Sequence, residues 1–128
     1  KKPQQMWGHL ENAVRRAATR GVKVKMMTQK TIYNLENIQQ LNKLKNVEFY
    51  FMEMPKLNED GGWDHTRLTH SKFVVADETN LAVTTSNLTG DYFENTAGVT
   101  VILMGHPILG KKLADVARRD IGSQYTKR

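Results

Sequence analysis

The stretch HSKFVVADETNLAVTTSN, residues 70 to 87, decides how the chain is read. Strand-forming residues run up to Ala76, turn-prone residues occupy 77 to 80, and Leu81 to Thr84 return as a second strand. So short a connection makes the two strands antiparallel. Alternate side chains of a strand share a face, so His70 and Lys72 point the same way, about 7 Å apart at their Cα atoms, and Phe73 and Val75 point the other way. An imidazole beside an ammonium is costly to bury, which places the pair at a strand end that opens on an anion. Lysine holds a phosphate by charge, and histidine can attack or move a proton near neutral pH. The polar run Thr84-Thr85-Ser86-Asn87 comes back beside them, its hydroxyls and amide being donors to phosphate oxygens. Taken singly, His-x-Lys is an exposed strand edge and the TTSN run a turn. Their joint spacing converges on one anion-sized site.

The rest of the chain supplies a scaffold for that hairpin. Residues 4 to 20 have helical spacing through Met6, Leu10, Ala13, Val14 and Ala17, with Gly21 as the stop. Val22, Val24 and Met26 alternate with Lys23 and Lys25 as a strand. Residues 31 to 44 return to helical spacing, and Val47 to Met54 form the next strand. Helix, strand, helix, strand in short succession predicts parallel strands with crossover helices. Residues 55 to 66 are loop by composition, and the hairpin's first strand is expected from Leu68 to Ala76. Val99 to Met104 is a further strand, and Pro107 opens a last helix. The expected fold is a single α/β domain over residues 1 to 128, a mixed β-sheet flanked by helices.

Composition narrows the function classes. With 39% hydrophobic and 25% charged residues the chain is globular rather than disordered. Its apolar runs are far short of the roughly 20 residues that span a bilayer. The absence of cysteine excludes disulfides and thiolate metal sites. A net charge of +6 favours a polyanionic partner, nucleic acid or an anionic lipid surface, against the plainer reading of solubility.

His70-x-Lys72-x-x-x-x-Asp77, followed after six residues by Thr84-Thr85-Ser86-Asn87, resembles the signature of the phospholipase D superfamily, its HKD motif and trailing G-[S/T]-x-N. AVRRAATRGVKVKMM resembles the superfamily's opening helix and strand. TSNLTGDYFENTAG and ARRDIGSQYT are similar to the C-terminal half of its animal lysosomal 5′ exonuclease branch. The resemblance implies two HKD motifs meeting across a pseudo-twofold axis, one histidine attacking phosphorus to give a phosphohistidine and the other protonating the leaving oxygen, with no metal or other cofactor. His70 is then one of the two histidines, Lys72 and Asn87 hold phosphate oxygens, Thr85 is a further donor, and Asp77 braces the hairpin. The resemblance also implies a carboxylate near the start of the next strand that orients a catalytic histidine; Glu94 is the candidate, with the place of Asn95 as the branch's alternative. Thr84 departs from the family's glycine and crowds a close backbone approach.

One motif is half a site. The resemblance implies the C-terminal half of a longer two-motif protein, so the second HKD half comes either in cis from further sequence or in trans from a homodimer. The implied substrate is single-stranded nucleic acid, cleaved as by an exonuclease. Phospholipid hydrolysis or phosphatidyl transfer is the alternative, and a non-catalytic interaction module a second one. A lysosomal or secretory address is implied by the branch alone. Among other residues, Asp64, His65 and His70 read as a weak metal set or as solvated loop residues. Trp63 reads as a base-stacking platform or a core cover. Trp7-Gly8-His9 reads as helix-start packing.

Overall fold

The computed structural model describes residues 6–29, 35–55 and 67–128. Helix Gly8–Thr19 (α1) turns its apolar stripe inward, burying Val14 and Ala18, and Glu11 and Arg15 pair one turn apart at 2.6 Å on its outer side. It ends as the sequence expects. Gly21 takes a φ of 91°, and the amides of Gly21 and Val22 donate back to Ala18 and Ala17, satisfying the last carbonyls.

Strand Val24–Gln29 (β1) and strand Val47–Met52 (β2) are parallel, in register from Val24 opposite Val47 to Gln29 opposite Met52, with helix Leu35–Asn42 (α2) as the crossover. Their inner face, carrying Val24, Met26, Val47, Phe49 and Phe51, packs on Val14, Ala18, Ile38 and Leu41 of the two helices. This is the core, and Leu41 and Phe49 are its most enclosed large side chains. Asn46 ties the layers by donating its side-chain amide to the carbonyl of Ala18 at 2.9 Å.

The hairpin forms as expected. Strand Phe73–Ala76 (β3) pairs antiparallel with strand Asn80–Thr84 (β4), and strand Thr100–Leu103 (β5) pairs antiparallel on β4's other side. Between β4 and β5 lies a short helix, Gly90–Glu94 (α3), that hydrophobic periodicity does not announce. Helix Pro107–Ile121 (α4) packs against the hairpin turn so closely that a Cβ at Gly110 would run into the backbone of Glu78. Arg118 adds a 2.6 Å pair from α4 to Glu78, and the chain closes with strand Thr126–Lys127 (β6) beside β2.

Four expectations are corrected. The strands divide into two three-stranded sheets, β1-β2-β6 and β3-β4-β5, where one mixed sheet was expected. No backbone ladder among the described residues joins β1 to the run into β3. The hairpin's first strand starts at Phe73, not Leu68, so His70 and Lys72 precede it. β1 is shifted towards its C-terminus, running from Val24 to Gln29, because pairing with β2 fixes the register and carries it past the last apolar residue. The strand expected from Val47 to Met54 ends at Met52. The proposed loop residues Trp63, Asp64 and His65 lie outside the described residues.

Candidate active site

A cleft of about 90 Å³ opens where the C-terminal end of β1 comes beside the run into β3. Met27, Thr28 and Gln29 form one wall, Thr69 to Phe73 the other, and Asn87 and Leu88 close it. In open α/β sheets ligands sit at the carboxyl ends of strands, which is where β1 delivers these residues. The space is that of about three waters, enough for a phosphate group and little more.

Two backbone devices hold the motif residues together. The amide of Thr84 donates to the carbonyl of Lys72 at 3.0 Å, one rung beyond the Phe73–Val83 pair, so the return strand stays fastened to the lysine. Beyond it, the amide of Ser86 donates to the Thr84 hydroxyl at 3.1 Å and turns the chain so that Asn87 reaches the cleft. Trp7 then anchors the next residue, donating its amide to the Leu88 carbonyl at 3.0 Å. Three of the expected site residues, His70, Lys72 and Asn87, therefore line one space.

Their environments differ in a way that bears on chemistry. His70 is exposed, and Lys72 is half-buried. Burial pulls the Lys72 ammonium below the usual lysine range, and among the described residues no neighbouring charge offsets it.

The remaining expected residues lie elsewhere. Asp77 sits in the β3–β4 turn with a φ of 53°, four residues along an extended strand from Phe73 and so roughly 13 Å from it. The turn itself is closed by the amide of Thr79 donating to the carbonyl of Ala76 at 3.1 Å. Thr85 is engaged with the segment before β5: its hydroxyl accepts from the Val99 amide at 3.0 Å, and it is not among the cleft-lining residues. Glu94 was expected at the start of a strand but is the last residue of α3, with Asn95 as the helix's C-terminal cap. Its carboxylate accepts from the Trp7 indole at 3.0 Å, outside the cleft lining. The indole also stacks on Phe93, 4.4 Å between ring centres, so Trp7 fastens the start of α1 to α3. Thr84 does not crowd the cleft. Its side chain shares the opposite sheet face with Val74, Ala82 and Thr100.

Sequence reasoning missed Met27, Thr28 and Gln29, and it missed Gly98. The first three carry a usable signal, polar residues at the end of a strand that leads into a crossover helix. Gly98 is required because Ser86 Oγ and Thr85 Oγ1 fill the space where a Cβ would stand. Among the described residues no three His, Asp or Glu side chains are grouped as metal ligands.

The family described as "Cardiolipin synthase, PLD-like domain" matches residues 8–120. A probable phospholipase D of Caenorhabditis elegans is 29% identical over 144 residues, covering 99% of this chain and 25% of that protein. The 5′-3′ exonuclease PLD3 of Rattus norvegicus is 26% identical over 137 residues, covering 97% of this chain and 28% of that protein. The chain thus spans about a quarter of the length of these relatives. Among solved structures, NucT from Helicobacter pylori superposes with a TM-score of 0.75 at 16% identity, covering 94% of this chain and 76% of NucT, which establishes a shared fold. Fold, motif and a family match over nearly the whole sequence agree: the chain belongs to the phospholipase D-like domain family.

Proposed function

We propose that this chain supplies one half of a phosphodiesterase active site and that the complete site cleaves single-stranded nucleic acid from an end. The observation that carries this reading is the meeting of His70, Lys72 and Asn87 in one phosphate-sized cleft, with the lysine partly desolvated. Lys72 and the Asn87 amide hold the non-bridging oxygens, where fixed charge acts most strongly on the charge that develops in the transition state. His70 acts at phosphorus or at the leaving oxygen, and a second histidine takes the other role. Attack by one imidazole nitrogen expels the alcohol as it gains a proton from the other. Water, giving its proton to that second histidine, then releases the phosphate. Both steps balance without a metal. The net charge of +6 and the similarity to a 5′-3′ exonuclease support a nucleic-acid substrate.

One motif per chain calls for a second HKD half, in cis or in trans, and an exposed apolar strip supports such a partner. Val99, Ile102, Met104 and Ile108 are 67%, 63%, 74% and 67% exposed, and Val101 lies among them. They follow β5, an edge strand of its sheet among the described residues, into the first turn of α4. Exposed apolar residues gathered along one edge mark an interaction surface. The occupant that fits is the half that carries the second histidine.

Phospholipid is the second reading, favoured by one feature. A groove of about 330 Å³, lined almost wholly by carbon, lies between α1 and the outer face of the hairpin sheet. It shares Phe73 and Leu88 with the cleft, and Trp7, Leu10, Val74 and Phe93 extend it. An acyl chain would suit such a lining. Incubation of the complete protein, with both halves of the site, in chelator with 5′-labelled single-stranded DNA and, separately, with phosphatidylcholine vesicles distinguishes the readings. Release of labelled nucleotide without lipid hydrolysis is the expected result. Hydrolysis of lipid alone favours the second reading, DNA cleavage that stops with chelator overturns the metal-free mechanism, and cleavage of neither leaves only an interaction module.

A further inference from the structure

One residue that lines the cleft carries a polar atom that nothing in the described structure serves. Gln29 ends β1 and lines the cleft with His70, Lys72 and Asn87. Its Oε1 is closed off from solvent and, among the described residues, has no hydrogen-bond donor. Nearly all buried polar atoms of native proteins are bonded, so an orphan acceptor at a ligand site points to a donor that the ligand brings.

A phosphodiester cannot be that donor, because its free oxygens only accept. Lys72 and His70 carry donors, but an ammonium or imidazole drawn to Gln29 would be drawn off the phosphate it serves. Of the donors that a substrate itself brings, the one nearest the phosphate is a hydroxyl on the group esterified to it. We propose that Gln29 is a specificity-determining residue that accepts a hydrogen bond from a sugar hydroxyl next to the bound phosphate, so that the cleft prefers nucleotide esters to esters of simple alcohols or phenols. The amide torsion of glutamine is broad, so the carbonyl turns to meet an occupant at small cost. A site built to bond a substrate hydroxyl discriminates against analogues lacking it, because its own polar group is then left unpaired. The inference rests on the phosphodiesterase reading for the occupant of the cleft.

The test is Gln29→Met, which keeps the length of the side chain and removes the acceptor. kcat/KM is measured on a p-nitrophenyl ester of thymidine 5′-phosphate, which has a free sugar hydroxyl, and on bis(p-nitrophenyl) phosphate, which has none. The expected result is a loss of roughly ten- to a hundredfold on the nucleotide ester with the other rate unchanged. Equal loss on both esters, or loss on neither, overturns the proposal. Binding of thymidine 5′-phosphate and of phenyl phosphate, titrated by NMR on both proteins, separates this inference from the catalytic reading. If the parent hydrolyses neither ester, the phosphodiesterase reading has failed, yet the binding ratio still decides on Gln29. A nucleotide preference abolished by Gln29→Met supports the assignment, and one that persists, or is absent in the parent, overturns it.

Discussion

The carbonyl of Lys72 accepts from the amide of Thr84 at 3.0 Å, and this single rung fastens the wall that carries His70 and Lys72 to the return strand that leads to Asn87. It lies just outside the β3–β4 ladder, where the hairpin stops being sheet and its polar ends turn into the site. Sheet register thereby becomes site geometry: a slip of one residue would send Lys72 to the opposite face.

Lys72 is a charge held at a cost to the fold. Burial lowers its pKa and no described residue compensates, so the ionised form is less favourable in the folded chain than in the unfolded one. The destabilisation is fully present below the folded pKa and disappears as pH rises to the unfolded value near 10.4. Lys72→Met therefore raises the melting temperature at neutral pH while abolishing phosphodiester cleavage. The gain shrinks as pH climbs through the range between the two pKa values. Thermal melts across pH, beside activity assays, check both signs. A stability loss at neutral pH contradicts the assignment of Lys72 as a desolvated cation.

Gly98 controls the segment that presents Asn87. A methyl group there meets Ser86 Oγ and Thr85 Oγ1, so Gly98→Ala is expected to cost about 1–3 kcal/mol and to lower activity as the Thr85–Asn87 turn shifts. Adding Ser86→Ala removes the nearer obstacle. In denaturant titrations the double variant should be more stable than the sum of the singles by at least about 0.5 kcal/mol. Strict additivity would mean that the strain lies elsewhere.

The apolar strip on β5 gives a concentration-dependent expectation. If it seats a second copy, Val101→Lys with Ile102→Lys leaves a monomer of 14.6 kDa, half the parent's mass in solution, with a sharp loss of activity and little change in melting temperature. Both side chains are exposed, so the monomer's own packing is barely touched. Light scattering and activity measured over a dilution series read this directly. Unchanged mass and activity would remove β5 from the interface.

How much of this was legible in the sequence varies with the kind of force at work. The hairpin was plain, because alternation and a tight turn are local signals. The parallel β1–β2 pair followed from apolar period and chain length. α3 was hidden: five residues with no buried member leave no periodic trace. That concealment displaced Glu94, read as a strand residue and found in a helix with its carboxylate on Trp7. The start of β3 was placed at Leu68 because residues 68 to 72 have strand-like composition, but ladder pairing, which composition does not encode, begins at Phe73. His70, Lys72 and Asn87 were named from motif spacing. Gln29 was not, because its significance comes from a tertiary neighbour 40 or so positions away in sequence.

The most direct test of the central claim is the rate at which labelled nucleotide leaves single-stranded DNA, in chelator, with the parent and with His70→Ala at matched protein concentration. His70 is exposed, so its loss leaves the fold intact. A rate reduced at least about a hundredfold, with an unchanged melting temperature, is the expected result. Equal rates from the two proteins would contradict the assignment of His70 to the reaction.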